Sequence, residues 1–255
     1  MVSDNLKALY NELPSGVKLV AVSKFHPVER LREAYDAGQR IFAESRPQEL
    51  AAKVPQLPAD IEWHFIGHLQ TNKLKLVLPH VSLVQSVDSL HLLEAIDQWG
   101  SAHGKVTDVL LELHLGAEET KQGFSEEEIL SILVPGAGIP SETVASRPLP
   151  PQAAGPSLLW GRGWTQVSEG IPVPGSHVRV KGLMGMATNT EDEAVIDADF
   201  ARIEALFNRI REDHPELRDT FTELSIGMSA DWPLAVRHGA TMVRIGTDIF
   251  GAREY

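Results

Sequence analysis

Eight short runs of β-branched and aliphatic residues recur along the sequence. They lie at 19–24 (LVAVSK), 40–45 (RIFAES), 62–68 (EWHFIGH), 81–86 (VSLVQS), 108–114 (DVLLELH), 178–186 (VRVKGLMGM), 221–226 (FTELSI) and 242–246 (MVRIG). Stretches with helical spacing separate them. PVERLREAYDAG puts Val28, Leu31 and Ala34 on one stripe and stops at Gly38, and SLHLLEAIDQWG stops at Gly100. EDEAVIDADFARIEALFNRIRED aligns Ile196, Phe200, Ile203 and Phe207 behind an acidic first turn of Glu191, Asp192 and Glu193. Strands alternating with helices predict parallel βα units, and eight is the number that closes a barrel. A doubly wound open sheet is the alternative. It would normally use fewer strands and carry a Gly-rich turn after the first, which AVSKFHP lacks. The expectation is a single α/β domain over residues 1–255, a (β/α)8 TIM-type barrel.

One segment breaks the rhythm. Residues 135–177 are dense in Pro, Gly and Ser and carry Trp160 and Trp164. They fall between a helical pattern and a strand, so they read as an insertion on the N-terminal face of the barrel, a flexible surface loop. The two tryptophans keep partner contact open as a second reading.

Composition limits the partners. The formal net charge of −12 repels phosphate backbones, which argues against nucleic acid. The absence of cysteine excludes disulfides and thiolate metal sites and fits a reducing compartment. The first residues, MVSDNLKALYNELPSG, carry acids and no long apolar run, unlike a signal peptide. No window offers the ~20 apolar residues of a spanning helix. A cytoplasmic protein with no membrane partner is expected.

In a closed βα barrel the chemistry sits at the C-terminal ends of the strands. The first strand then delivers Lys24. An amine held in a barrel mouth loses hydration and gains a free lone pair, as a Schiff-base lysine needs. The alternative is that Lys24 reaches solvent or pairs with Glu44. The seventh unit, SIGMSADWPLAVRHG, places a Gly-x-Ser turn before a helical pattern, an anion site or else an ordinary cap by Ser229. The eighth, VRIGTDIFG, adds Gly246, where backbone can approach a ligand closely, and the hydroxyl and amide of Thr247. Arg244 alternates with Val243 and Ile245 and so points into the barrel, toward a ligand atom or a carboxylate such as Glu44 or Glu112. Ser45, ending the second strand, and Met228, leading out of the seventh, are lesser contact candidates. His64 and His68 stand four apart, but on a strand they would be widely separated, and no carboxylates complete a metal set. A strand-end lysine opposite a phosphate cradle describes a phosphorylated carbonyl ligand, with pyridoxal 5'-phosphate (PLP) the leading candidate.

The motifs LVAVSK, FAESRPQEL, IEWHFIGHLQTNK, SVDS, VKGLMGMA and ELSIGMSADWPLAVRHGATMVRIGTDIFG, in this order, resemble the pyridoxal phosphate homeostasis proteins. The likeness runs from about Val17 to Gly251 and leaves out 135–177. It implies a fold like the N-terminal barrel of alanine racemase, the fold-type III PLP proteins. It also implies that Lys24 forms the Schiff base and that Ser229, Gly246 and Thr247 hold the phosphate. Arg244 would face the pyridine nitrogen and keep it unprotonated, which disfavours carbanion chemistry. Where the family usually has Gly-Glu-Asn-Tyr, this chain has Ala43, Glu44, Ser45 and Arg46. Lys121, in EETKQGF, matches a lysine of the family's fifth βα loop.

Two functions follow from the resemblance. One is a non-catalytic carrier that holds PLP and hands it to PLP-dependent apoenzymes. The other is a PLP-dependent amino-acid racemase. Barrel racemases add a β-domain that supplies a second base, usually tyrosine, across a dimer. Here the eighth strand ends near Gly246, and Tyr10, Tyr35 and Tyr255 fall at no expected strand end. The carrier, as a monomer, is the expectation. A phosphosugar enzyme with an aldolase-type lysine is a third reading, and it predicts a colourless protein.

Overall fold

The computed structural model describes residues 2–116, 122–133, 171–172 and 177–251. In chain order they form α1 (Val2–Glu12), β1 (Lys18–Val22), α2 (Val28–Asp36), β2 (Ile41–Glu44), α3 (Pro47–Lys53), β3 (Glu62–Phe65), α4 (Leu74–Val77), β4 (Leu83–Val87) and α5 (Leu90–His103). There follow β5 (Thr107–Leu113), α6 (Glu126–Leu133), β6 (Ile171–Pro172), β7 (Val178–Gly185), α7 (Glu193–Asp213), β8 (Glu223–Met228), α8 (Trp232–Arg237), β9 (Met242–Ile245) and α9 (Thr247–Phe250).

Eight of the strands pair in parallel around a closed ring, β1-β2-β3-β4-β5-β7-β8-β9. The ring shuts where Lys18 to Ala21 of β1 pair with Met242 to Ile245 of β9. The short β6 stands outside it, antiparallel to β7, with Ile171 opposite Val180 and Pro172 opposite Arg179. The expected (β/α)8 barrel is therefore present, and each expected strand run contains or overlaps one ring strand.

Apolar residues fall into two layers. Val20, Ala43, Leu83, Leu110, Met184 and Met242 fill part of the lumen. A larger cluster lies between the barrel and its helices. Leu31 and Ala34 of α2 and Phe200, Ile203 and Phe207 of α7 belong to it, as their spacing predicts, with Leu206 and Ile210 beside them. Side chains cap the helix starts: Ser89 accepts from the Leu92 N–H at 3.4 Å, and Asp192 from the Ala194 N–H at 3.0 Å.

Three of the boundaries that differ from the sequence reading bear on the site or on packing. β1 ends at Val22, so Lys24 lies in the turn beyond the strand. β3 ends at Phe65, which leaves His68 in a loop. α5 does not stop at Gly100; it runs on to His103 and ends at Gly104, whose φ of 64° is the left-handed cap geometry. Gly100 is there for space. A Cβ on it would lie 2.5 Å from the Lys105 carbonyl oxygen and 2.6 Å from the His177 Cβ. Of residues 135–177, only Ile171, Pro172 and His177 are described. The expected surface insertion, with Trp160 and Trp164, otherwise lies outside the described residues.

Candidate functional site

Leu19, Val20 and Ala21 bury β1 and carry the chain to the C-terminal mouth of the barrel, where Ser23 is fully buried and Lys24 partly so. The backbone on both sides of Lys24 is gripped. Lys53, from the last turn of α3, donates its ammonium to the Ser23 carbonyl at 2.8 Å. Glu49, one turn earlier, accepts from the Phe25 N–H at 2.7 Å. Lys53 also pairs with Glu49 and with Glu44, each at 2.7 Å, and the Ser23 hydroxyl donates to Glu44 at 2.7 Å. Phe25 itself has φ 69°, the single positive value among the described non-glycine residues. A bulky side chain adopts that geometry only when its surroundings impose it. Arg46 lies over the Phe25 ring at 4.2 Å.

This cluster corrects one reading and supplies two residues the sequence did not disclose. The carboxylate of Glu44 is taken by Lys53 and Ser23. Its burial raises its pKa against the opposing pull of Lys53. Its second oxygen, Oε2, is buried with no hydrogen-bond partner among the described residues. Lys53 and Glu49 read in sequence as an ordinary i,i+4 surface pair. In the fold Lys53 is 5% exposed.

The seventh and eighth units of the ring end beside this turn. β8 leads through Gly227, whose φ of 91° favours glycine and whose Cβ would sit 2.6 Å from that of Ala235. Met228 is 40% exposed at the rim, and its N–H donates to Asp231 at 2.5 Å. Ser229 caps nothing: α8 starts at Trp232 behind Asp231. Just past β9, Gly246 packs against β1, where a Cβ would lie 3.2 Å from the Val22 carbonyl oxygen. The backbone N–H groups of Ser229 and Gly246 have no protein acceptor among the described residues, and those of Thr247 and Asp248 open α9, where no intrahelical carbonyl serves them. Two facing turns of amide donors with hydroxyls at Ser229 and Thr247 suit a phosphate.

Arg244 is 4% exposed and does point into the barrel. Its protein partners are backbone and hydroxyl oxygens, none of them a carboxylate. Nη1 donates to the carbonyl and hydroxyl of Ser225, both at 2.7 Å, and Nη2 to the Gly185 carbonyl at 2.8 Å. All three bonds use the terminal nitrogens, which leaves the Nε–H, with one Nη2–H, for another group. Burial brings its pKa down to about 10, against the opposing fields of Glu112 and Asp231, so it stays a cation at neutral pH. Glu112 is pushed up to about 7, first by burial and then by Asp88. Asp88 in turn bonds the His68 Nδ1 at 2.8 Å. The acid–imidazole pair of Asp88 and His68 lies on the far side of the mouth and was not foreseen. His64 is elsewhere, buried in the lumen against Gln85. Among the described residues no group of three His, Asp or Glu side chains could hold a metal.

The structure thus brings Lys24, Ser229, Arg244, Gly246 and Thr247 to the same end of three adjacent strands. Ser45 lies one strand away, with its backbone so close to Gly67 that a Cβ there would sit 2.1 Å from the Ser45 carbonyl oxygen. Lys121 lies outside the described residues.

Comparison with known proteins agrees with this fold. A family model described as the alanine racemase N-terminal domain matches residues 1–137. The pyridoxal phosphate homeostasis protein of Pasteurella multocida is 33% identical over 245 residues, 94% of this chain and 88% of that protein. PipY of Synechococcus elongatus, solved with PLP bound, has a TM-score of 0.76 at 33% identity and covers 98% of this chain and 100% of its own. Alanine racemase from Clostridium difficile shares the fold, with a TM-score of 0.67 at 12% identity, and this chain covers 57% of its length.

Proposed function

The chain belongs to the pyridoxal phosphate homeostasis protein family, and from that membership we propose that it binds PLP in the barrel mouth and holds it in reserve. The observation that carries this reading is the turn at Lys24. A strained backbone gripped from both sides presents one amine at the end of the strand next to Gly246. The residues present fit the cofactor. Lys24 supplies the amine for its aldehyde, as a Schiff base. The N–H groups of Ser229, Gly246, Thr247 and Asp248 supply donors for its phosphate, and Arg244 Nε a donor for its ring. Ser45 and Met228 border the site. When bound, PLP supplies an aldehyde and an electron-withdrawing ring.

What this chain's own residues do is hold rather than turn over. Arg244 stays positive and fixed by three hydrogen bonds, so it donates to a ring nitrogen and does not protonate it. The tyrosine that barrel racemases use as second base has no counterpart among the described residues of the mouth. Tyr10 bonds Gln39, Tyr35 bonds Asp60 at 2.8 Å, and Tyr255 lies outside the described residues. The whole of residues 1–255 then serves as one cofactor-binding domain that passes PLP to apoenzymes, as a cytoplasmic monomer. Among the described residues no helix is long and apolar enough to cross a membrane.

The test is a visible spectrum of the purified protein with added PLP, before and after L-alanine, coupled to a chiral assay. A carrier shows a saturable visible band and no D-alanine beyond that formed with free PLP. Racemisation well above that background would favour the enzyme, and a protein that stays colourless would sink both PLP readings.

A further inference from the structure

The barrel has a second polar end. Where the strands begin, opposite Lys24, a cavity of about 270 Å³ is lined by Lys18, Glu62, His64, Asp108, Lys181 and Glu223, among others. His64 is 4% exposed, and its Nδ1 lies 2.8 Å from Gln85 Nε2. The direction of that bond is fixed from the far end of the lumen. Arg244 Nη1 donates to the Ser225 hydroxyl at 2.7 Å, and that hydroxyl donates to Gln85 Oε1 at 2.7 Å. Arginine accepts nothing, so every link runs the same way: Arg244 to Ser225 to Gln85 to His64. His64 therefore accepts at Nδ1. Burial and the nearby Lys18 hold its pKa down at about 3, so the ring is neutral and carries its proton on Nε2. That N–H meets no acceptor among the described residues, yet it is not sealed in protein; it opens on the cavity.

The charges around it are unevenly committed. Glu223 is held by Lys18 at 2.5 Å and by Thr241 at 3.0 Å, and Asp108 by Arg179 at 2.7 Å. Lys181 has no ion-pair partner among the described residues, and Glu62 is an exposed first residue of its strand. The cavity thus offers one buried N–H of imposed direction and, from Lys181 in the same wall, one ammonium without an ion-pair partner among the described residues, the two kinds of donor that an anion takes. A dianion would also meet Glu62 and Glu223, which limits the favoured charge to one. We propose that this end of the barrel is a binding site for a small monocarboxylate, taken by the His64 Nε2–H and Lys181. The assignment stands on residues apart from Lys24 and the phosphate turns, so it holds or fails independently of PLP binding.

The test is an NMR titration of the full chain labelled with ¹⁵N-histidine, with the His64 resonance assigned by loss in His64→Gln. Sodium acetate, chloride and phosphate are added in turn at matched ionic strength, with and without PLP. Acetate is expected to shift the His64 Nε2–H signal to saturation, while chloride and phosphate do not saturate. Lys181→Met should weaken acetate about fivefold or more, the loss of one partly screened ion pair. An acetate titration with no saturation, an unchanged affinity in Lys181→Met, or tighter binding of phosphate would overturn the proposal.

Discussion

Phe25, at φ 69°, follows Lys24 directly. A residue held there costs about 1–3 kcal/mol and persists where the surroundings over-determine it. Here Glu49 and Lys53 do so, and each makes a testable contribution. Lys53→Met leaves Glu44 and Glu49 without their shared cation, Glu44 being fully buried. Urea unfolding should show a loss of about 3–5 kcal/mol, the usual result of removing one partner of a buried pair. A loss below about 1 kcal/mol would contradict the clamp. Glu112 gives a pH signature. It binds its proton more tightly in the barrel, at about 7, than at its ordinary 4.5 in the unfolded chain. Folding takes up that proton between these values, so its stabilisation is full below about 4.5 and is lost as pH rises through 7. Glu112→Gln should flatten that fall, on the order of 3 kcal/mol, in urea midpoints compared at acid and neutral pH. Equal slopes in variant and parent would count against it. At this scale the strand-end rule was enough to expect Lys24, Ser229, Arg244, Gly246 and Thr247 at one end of the barrel, where the structure places them. Lys53 and Asp88 were not legible, because burial and cross-strand partners leave no mark in a local pattern.

At the scale of elements, the strands were readable because both faces of a parallel strand are buried and its composition is continuous in apolar residues. Their ends were less so. LVAVSK gives no sign that pairing stops at Val22, and that difference puts Lys24 in a turn whose shape matters more than its strand. Gly100 misled for the opposite reason. It looks like a helix stop, but it serves the crossing of α5 past Lys105 and His177. Gly100→Ala should therefore destabilise the protein by about 1–3 kcal/mol despite alanine's better helix propensity, an overpacking cost. Gly104→Ala meets nothing within 4 Å, and its cost should be the left-handed backbone alone, about 1 kcal/mol. Thermal melts of both variants distinguish the two causes. A stabilised Gly100→Ala would show that the contact is loose.

For the whole molecule, the alternation of eight strand runs with helices sufficed for the closed ring, and ring closure then brought distant segments together. What the sequence could not show was the lumen. The string from Arg244 through Ser225 and Gln85 to His64 joins residues of β9, β8, β4 and β3 that no spacing relates. It leaves Arg244 fixed, as a cofactor holder requires. The central claim is that the mouth retains PLP on one amine. Its most direct measurement is borohydride reduction of the PLP-loaded protein followed by peptide mass mapping. The account predicts one pyridoxyl phosphate group, on Lys24, and none after Lys24→Ala. Label on another lysine, or an undiminished yield in Lys24→Ala, would contradict it.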